Sequence, residues 1–216
     1  LTPLTIISAT VDELKTQAPS HNDLYTVMNS NIQRLIRLLQ QILEFRKAET
    51  GNLKLRVSPG DIAAFVKNAA ESFQPLVKKR KIHFSFLCDP ESMIGYFDMD
   101  KLDKILYNLF SNASKYNKPG GKVAIELSHD STNGLACLVV KDNGPGIPAE
   151  CREHVFEMFY SGKNKVSDSR RSLGLGLALC RSIVNAHGGE IALYDCDPQG
   201  CCFRFTLPLS EVNLNE

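Results

Sequence analysis

Three short segments decide how this chain folds and functions: Asn108-Leu109-Phe110-Ser111-Asn112, Asp142-Asn143-Gly144-Pro145-Gly146-Ile147 and Leu173-Gly174-Leu175-Gly176-Leu177. The first lies in a predicted helix, the second follows a predicted strand and the third opens a predicted helix. Each alone is a weak signal, because short glycine-containing patterns also arise by chance. In this order, and on these elements, they predict a nucleotide pocket with a metal-binding helix face, an adenine reader and a phosphate cradle.

The first segment places two asparagines on one face of a helix predicted over 99–115. Asn108 and Asn112 are four residues apart, and side chains at that spacing are neighbours on a helix. An amide oxygen suits Mg²⁺, which takes few protein ligands in addition to phosphate oxygens. Lys115, about one turn later, can contact phosphate as a point charge, and Tyr116 offers a flat face for a base. The alternative is a polar stripe that faces solvent.

The second segment has a carboxylate at the end of a predicted strand, followed by a glycine turn. A carboxylate only accepts hydrogen bonds, and adenine presents an exocyclic amine where guanine presents an oxygen. Asp142 is therefore predicted to select ATP over GTP, while Gly144 and Gly146 permit a tight turn and a close approach. The alternative is an ordinary surface turn.

The third segment predicts an anion site, because bare backbone N–H groups at the start of a helix attract phosphate. Gly174 and Gly176 open a helix predicted over 174–187, and a polar, basic stretch over 160–172 precedes it. We predict that this stretch covers the phosphates as a lid, although for each of its charges taken alone a plain solvated charge is the favoured interpretation. The cations of this stretch that would reach the phosphates are Lys163, Lys165, Arg170 and Arg171.

The N-terminal part predicts two helices, over residues 3–18 and about 22–48, joined by a turn in which Pro19 ends the first helix. The second helix carries an apolar stripe close to heptad spacing. A hairpin this long cannot bury the stripe alone, so we expect two copies to form a four-helix bundle. Packing on the chain's own C-terminal part is the alternative. The stripe comprises Leu24, Met28, Leu35, Leu38, Ile42 and Phe45.

The predicted fold class is α+β, with the helical hairpin over 1–48, a linker over 49–60 and a two-layer α/β sandwich with a mixed sheet over 61–210. The linker is expected to hold a short strand near 53–57 and a break at Ser58-Pro59-Gly60, and Asp61 is a predicted N-cap. The helices expected in the second domain cover 61–80, 99–115 and 174–187, and the strands cover 82–87, 93–97, 123–127, 135–141, 190–194 and 202–207.

The composition excludes several classes of protein. The net charge of +1, without a basic tract, predicts no nucleic-acid-binding surface. The seven cysteines are odd in number and form no C-x-x-C pair, which indicates reduced thiols, mainly buried as small apolar residues, rather than a disulfide framework. No apolar run approaches the ~20 residues of a membrane span.

Together these features resemble the catalytic domain of sensor histidine kinases, in the ATP-binding superfamily that also includes gyrase, heat-shock chaperones and mismatch-repair proteins. The hairpin resembles the dimerisation and phosphotransfer domain of the same kinases, and Thr2-Pro3-Leu4 matches the end of its H box. The resemblance covers about residues 2–208. The other matching segments are the N box (Asn108 to Tyr116), the G1 box (Asp142 to Ile147), the F box (Phe156 to Phe159), the G2 box (Gly174 to Leu177) and a last glycine segment (Gly200 to Pro208).

The resemblance implies Mg-ATP as the cofactor and gives roles to individual residues. It implies that Asn112 coordinates Mg²⁺, that Asn108 supports the metal-phosphate site, and that Asp142 binds the adenine amine. Lys115 would contact phosphate in catalysis, and Tyr116 would pack near adenine. The other nucleotide-binding positions that it implies are Gly144, Gly146, Ile147, Phe159, Lys163, Arg171, Gly174, Leu175, Gly176 and Leu177.

The resemblance also implies a reaction. The phosphoacceptor histidine should lie three residues before Leu1, so this chain is expected to bind ATP but not to autophosphorylate. Asn108 stands where hydrolytic relatives carry a glutamate that activates water, and an amide cannot act as that base. The expected reaction is therefore γ-phosphoryl transfer to histidine. Thr2 stands where the family can orient water to dephosphorylate the partner regulator, which implies a phosphatase role.

The implied partners are a second copy of the chain, bound through the hairpin, and the receiver domain of a response regulator, whose aspartate takes the phosphate. The implied location is the cytoplasm, with membrane attachment only through segments upstream of residue 1. Two other functions stay open at this point. One is a non-catalytic, dimeric ATP-binding scaffold for signalling; the other is an ATPase, which Asn108 disfavours.

Overall fold

The fold is a helical hairpin followed by helices packed on a mixed sheet, in a computed structural model that describes residues 2–17, 22–160 and 174–210. The predicted α+β class is confirmed. The helices are α1 (Thr2–Gln17), α2 (Asn22–Glu49), α3 (Ile62–Lys79), α4 (Met99–Lys115), α5 (Ala149–Arg152) and α6 (Gly176–Ala186). The strands are β1 (Ser58–Asp61), β2 (His83–Asp89), β3 (Ile94–Phe97), β4 (Lys122–Asp130), β5 (Leu135–Asp142), β6 (Ile191–Asp195) and β7 (Cys201–Pro208).

Helices α1 and α2 pack against each other around a small apolar and polar contact. Val11 and Ile32 are buried, and Asn29 bridges the helices, because its Oδ1 accepts from Ser8 Oγ at 3.0 Å while its Nδ2 donates to Asp12 Oδ1 at 2.8 Å. This contact leaves much of the apolar surface of the hairpin exposed to solvent. The exposed apolar residues are Ile6, Ile7, Leu14, Leu24, Val27, Met28, Leu35, Leu39 and Leu43.

The C-terminal part of α2 also contacts the second domain, through α6 and through an ion-pair cluster at the start of α4. The Glu44 carboxylate is paired with Lys101 and, at 2.8 Å, with Lys104 Nζ. Burial raises the pKa of Glu44, but the hydrogen bonds and charges of the two lysines outweigh burial and hold that pKa below its usual value. The alternative interpretation of the hairpin therefore holds for this part of α2, while Leu24, Met28 and Leu35 of the predicted stripe stay exposed.

The main sheet of the described residues has five strands in the order β2-β4-β5-β7-β6. Strands β2 and β4 are parallel, and the other pairs are antiparallel, so the sheet is mixed as predicted. Alternate residues of β4 and β5, such as Ile125 and Val140, are buried against α3 and α4. Helix α4 presents Ile105, Leu109 and Phe110 to this core, and the Phe110 ring lies 5.5 Å from that of Phe73 in α3.

The predicted linker strand near 53–57 is wrong, as is the break at Ser58-Pro59-Gly60. Residues 52–57 have no regular structure, because the backbone N–H of Arg56 donates to Asp98 Oδ2 at 2.7 Å instead of to a neighbouring strand. Strand β1 occupies the predicted break and pairs antiparallel with β3. A two-stranded pair consists only of edges, where proline is tolerated. Asp61 is confirmed as the N-cap of α3, accepting from Ala64 N at 3.2 Å.

None of the helices in the described ranges combines the length and the apolar character that a membrane crossing requires.

Candidate nucleotide-binding site

The two asparagines of α4 lie on the half-buried side of the helix, beside the start of α6. Asn108 Nδ2 donates to the carbonyl of Lys104 at 2.9 Å, which fixes the amide plane and directs Oδ1 away from its own helix. A Cβ built on Gly176 would lie 2.7 Å from that Oδ1. The first and third sequence segments therefore meet in space, with an amide oxygen facing the N-terminus of α6. Asn112 is half-buried one turn further along α4.

The end of α4 brings Tyr116 beside the turn that follows Asp142. Tyr116 is the C-cap of α4 and is 50% exposed. Lys115 Nζ donates to the Tyr116 hydroxyl at 3.3 Å and lies 4.9 Å from the centroid of the ring. Its carbonyl oxygen would be 3.2 Å from a Cβ on Gly144. An exposed aromatic ring next to the predicted adenine reader is a suitable face for a base.

Asp142 ends β5 as a carboxylate that is only 9% exposed. Its Oδ1 accepts from the N–H of Gly144 at 2.9 Å, which closes the turn. Burial raises the pKa of Asp142, and the backbone N–H groups of Gly144 and Cys201 oppose that rise. A carboxylate has about four lone-pair sites, so two backbone donors leave room for a further donor such as the adenine amine. A buried carboxylate with a raised pKa in such a position is a candidate for binding.

The turn after Asp142 leads back to the core and to β7. Gly146 has a φ of 73° and lies against Gly200, whose carbonyl oxygen would be 3.3 Å from a Cβ on Gly146. Ile147 packs against the apolar core at the end of the turn. The turn is thus held at its start by the hydrogen bond between Asp142 and Gly144, and at its end by Gly200 and the apolar core. These contacts fix the position of the Asp142 side chain.

Helix α6 begins without a side-chain cap on its first turn. Leu175 is the N-cap residue and is 2% exposed, and its apolar side chain accepts no hydrogen bond from a backbone N–H. Leu177, in the first turn, packs against the core. Within the described residues, the N-cap side chain thus offers no acceptor to the first N–H groups of α6, which face the region of Asn108. Such groups, with the positive end of the helix dipole, favour an anion.

Gly174 connects this helix start to the F-box segment, because a Cβ at Gly174 would lie 2.3 Å from the carbonyl oxygen of Tyr160. Phe159, just before Tyr160, is 58% exposed with a φ of 60°. The lid residues predicted from the sequence, Lys163, Lys165, Arg170 and Arg171, lie outside the described residues, and so does the side chain of Thr2 at the start of α1.

The residues present fit Mg-ATP. The Cβ positions of Gly144 and Gly176 would each collide with a neighbouring oxygen, so both glycines keep backbone open where a base and a phosphate would approach. Among the described residues, no group of three or more His, Cys, Asp or Glu side chains is placed to hold a metal ion. A magnesium ion would therefore depend on the Asn112 amide and on phosphate oxygens, which is a common way of binding this ion.

The sequence analysis missed the contacts that hold these elements in place. The buried ring of His187, at the end of α6, donates from Nδ1 to the carbonyl of Ile183 at 2.9 Å and accepts the N–H of Asp98 on Nε2 at 3.1 Å. Asp98 is the N-cap of α4 and accepts from Lys101 N at 3.1 Å. Helix α6 thus supports the start of helix α4, and burial lowers the pKa of His187.

Comparison with known proteins shows the family to which the chain belongs. The family profile described as "Histidine kinase-, DNA gyrase B-, and HSP90-like ATPase" matches residues 97–211, which is more than half of the chain. The sensor protein KdpD of Clostridium acetobutylicum is 33% identical over 81% of this chain and 19% of its own length. The chain spans 16% and 14% of the length of two other curated histidine kinases.

Two solved structures show the same fold. Full-length ShkA in complex with AMPPNP has a TM-score of 0.84 and 24% identity, over 98% of this chain and 44% of that one. Histidine kinase ThkA in complex with the response regulator protein TrrA has a TM-score of 0.67 and 24% identity, over 96% of this chain and 57% of that one. The chain belongs to the family of histidine kinase-, DNA gyrase B- and HSP90-like ATPases, and its relatives are sensor histidine kinases.

Proposed function

We propose that this chain is the kinase core of a two-component sensor, which binds Mg-ATP and transfers its γ-phosphate to a histidine just upstream of residue 1. The observation that carries the proposal is the position of Asn108. Its amide oxygen faces the start of α6, where the phosphates would bind, and its Nδ2 is held by Lys104. An amide at this position can orient phosphate and metal but cannot deprotonate water.

The adenine amine donates to Asp142, and the Tyr116 ring packs on the base. The N–H groups of Gly176 and its neighbours in the first turn of α6 bind the phosphates, with Lys115 as an additional cation. The exposed Tyr116 ring and the buried Asp142 carboxylate support this assignment. The further contacts that we propose for the nucleotide come from Gly144, Gly146, Ile147, Phe159, Lys163, Arg171, Gly174, Leu175 and Leu177.

Magnesium, held by Asn112 and by phosphate oxygens, would neutralise the charge that develops on the transferred group. The chain acts mainly by positioning the reacting groups. Helices α4 and α6 hold the phosphates between them, and the proposed lid over 160–172 excludes water. Phosphoryl transfer then requires only that a histidine approach in line. The proposed domains, 1–48 and 61–210 joined by 49–60, allow that approach, because the linker lets the ATP-binding domain reach the hairpin.

The partners that we propose are a second copy of the chain and a receiver domain. The exposed apolar residues of α1 and α2 support pairing of two hairpins into a four-helix bundle. The complex of ThkA with the response regulator protein TrrA supports a receiver domain as the acceptor of the phosphate. In the same proposal Thr2 positions water to dephosphorylate that receiver, and the core acts in the cytoplasm.

One experiment separates this function from its alternatives. The chain, extended by about ten native residues at its N-terminus to include the H-box histidine, is incubated with [γ-³²P]ATP and Mg²⁺. We expect label on the protein that is lost in acid and stable in base, as a phosphohistidine requires. The matched control replaces that histidine with glutamine and should stay unlabelled. ATP binding without label would favour a non-catalytic scaffold, and steady phosphate release without a phosphoprotein would favour an ATPase.

A further inference from the structure

Two cysteine side chains meet at the hairpin between β6 and β7. Cys196 directly follows β6, and Cys202 lies in β7, opposite Tyr194 in the antiparallel register. Side chains two residues apart in a strand share a face of the sheet, so Cys196 and Cys202 are diagonal neighbours on one face. Cys196 Sγ donates to the carbonyl of Cys201, the residue next to Cys202, at 3.5 Å.

This thiol pair is accessible from solvent. Both side chains are half-buried, whereas Cys137, Cys180 and Cys201 are buried. Cys196 lines a groove of about 500 Å³ that runs between the turn over 145–148 and the hairpin over 195–200. A small thiol or disulfide reagent can therefore reach Cys196 without any unfolding of the sheet.

The hairpin is in rigid contact with the proposed adenine reader. Gly200 lies between the two cysteines, and a Cβ at this position would be only 1.8 Å from the carbonyl oxygen of Asp142. Cys201 is paired with Asp142 across β5 and β7. At Gly200 there is thus no room between the hairpin and the backbone of Asp142 and Asn143, so a movement of the hairpin at this residue is passed to the start of the turn.

We propose that Cys196 and Cys202 form a redox-active dithiol, whose oxidation to a disulfide moves the 196–202 hairpin and weakens nucleotide binding. A disulfide needs Cβ atoms about 3.5–4.5 Å apart, which is closer than diagonal neighbours normally lie in a sheet, so bond formation draws the hairpin inward. The movement passes through Gly200 to Asp142. The effect on nucleotide affinity rests on the proposed function, whereas formation of the disulfide does not.

The oxidant is a low-molecular-weight disulfide, such as oxidised glutathione. The thiolate of Cys196 attacks one sulfur of the oxidant, whose S–S bond breaks, giving a mixed disulfide and one released thiol. The thiolate of Cys202 then attacks the Cys196 sulfur and releases the second thiol. The two protons of the protein thiols end on the two released thiols, and two electrons pass from the protein to the oxidant.

The reaction should be slow at neutral pH. Burial raises the pKa of Cys196, and the neighbouring Cys202 adds to that rise. Burial also raises the pKa of Cys202, against the opposing charge of Lys141. Because the thiolate is the nucleophile, oxidation is best carried out over hours at mildly alkaline pH.

Disulfide mapping tests the proposal directly. The folded chain is incubated with oxidised glutathione, remaining thiols are alkylated, and the product is digested with a protease that cleaves before aspartate. Cleavage before Asp197 separates Cys196 from Cys202 unless a disulfide joins them. We expect the linked peptides by mass spectrometry, their loss in Cys196→Ser and in Cys202→Ser, and their persistence in Cys201→Ala and in the half-buried control Cys88→Ser. Pairing of Cys196 with a different cysteine, or free alkylation of Cys196 after oxidation, would overturn the proposal.

Nucleotide affinity is then measured on the same samples by calorimetry with Mg-ADP. We expect binding to the oxidised chain to be about fivefold weaker or more, to recover on reduction, and to be unaffected by oxidant in Cys196→Ser. A disulfide that leaves the affinity unchanged would overturn the link to the site. A reduced chain that binds no nucleotide would contradict the proposed function, while the mapping still decides whether the dithiol exists.

Discussion

Replacement of Asp142 by asparagine isolates the predicted contact with adenine, because it changes one oxygen and keeps the turn. The asparagine can retain Oδ1 as the acceptor for the N–H of Gly144, which lies at 2.9 Å. The second carboxylate oxygen becomes an NH₂ group, so that a donor faces the donor of the adenine amine. The substitution thus removes the proposed recognition of adenine while it keeps the hydrogen bond from Gly144.

The loss is expected to be about 1.5–3 kcal/mol, the usual contribution of a hydrogen bond to a charged group. At 1.4 kcal/mol for each factor of ten, the affinity for ATP should fall about 10- to 100-fold. Stability should behave differently. Burial raises the pKa of Asp142 above its ordinary value of 3.8, so this residue favours the folded state at low pH, and that advantage is lost as the pH rises through the folded pKa. The neutral asparagine should therefore be at least as stable as the aspartate at pH 7.

The assay combines calorimetry with Mg-ATP and urea unfolding at pH 7. Asp103→Asn is a matched control, because Asp103 is exposed on α4 and its replacement changes the net charge equally. An Asp142→Asn chain that is folded and binds ATP as well as the unchanged chain would refute the assignment. A loss of stability at pH 7 would refute the burial argument, because any weaker binding could then come from partial unfolding.

Three further predictions concern the supports of the site. Gly176→Ala places a Cβ 2.7 Å from Asn108 Oδ1. Calorimetry should therefore show about tenfold weaker ATP binding, equivalent to ~1.4 kcal/mol. Unchanged binding would mean that Gly176 and Asn108 do not share the nucleotide site. His187→Ala leaves the buried N–H of Asp98 without its acceptor, while the carbonyl of Ile183 keeps the backbone N–H of residue 187, and should cost about 1–3 kcal/mol in urea unfolding at pH 7. Because burial lowers the pKa of His187 below 6.5, the free energy of unfolding of the unchanged chain should fall as the pH drops from 7 towards that pKa. The His187→Ala variant should lose this part of the pH dependence. Identical pH profiles of the two proteins would contradict the argument. Glu44→Gln breaks the ion pair with Lys101, whose two side chains are mostly buried, and should cost about 1 kcal/mol or more in urea unfolding, with little dependence on salt because buried pairs are weakly screened; unchanged stability would contradict a stabilising ion pair.

The sequence predicts those elements whose local signals agree with their tertiary packing. Helix α4 has the predicted bounds, Met99–Lys115, because the N-cap Asp98 and the apolar periodicity both favour them. The meeting of Asn108 with Gly176 is different. Residues far apart in the sequence come together only through the arrangement of α4 and α6, so the order of the three segments and the family resemblance indicate a shared pocket, while spacing alone does not.

Other parts of the site leave no local signal. His187 looks like an ordinary residue at the end of a helix, and its bond to Asp98 depends on how two helices pack. The sequence around Ser58–Asp61 has turn residues, yet it pairs with β3 because the edge of a two-stranded pair accepts proline. Gly200 was recognised as part of a glycine segment, but its contact with Asp142 follows only from the register of β5 and β7.

Selectivity between two nucleotides tests the central claim most directly, because the account gives the choice of base to a single buried carboxylate. Mg-ATP and Mg-GTP are titrated separately into the reduced, unmodified chain in the same buffer. We predict one binding site, with an affinity for ATP at least about tenfold higher than for GTP, since guanine would place an oxygen against Asp142. Equal affinities, or tighter binding of GTP, would contradict the account.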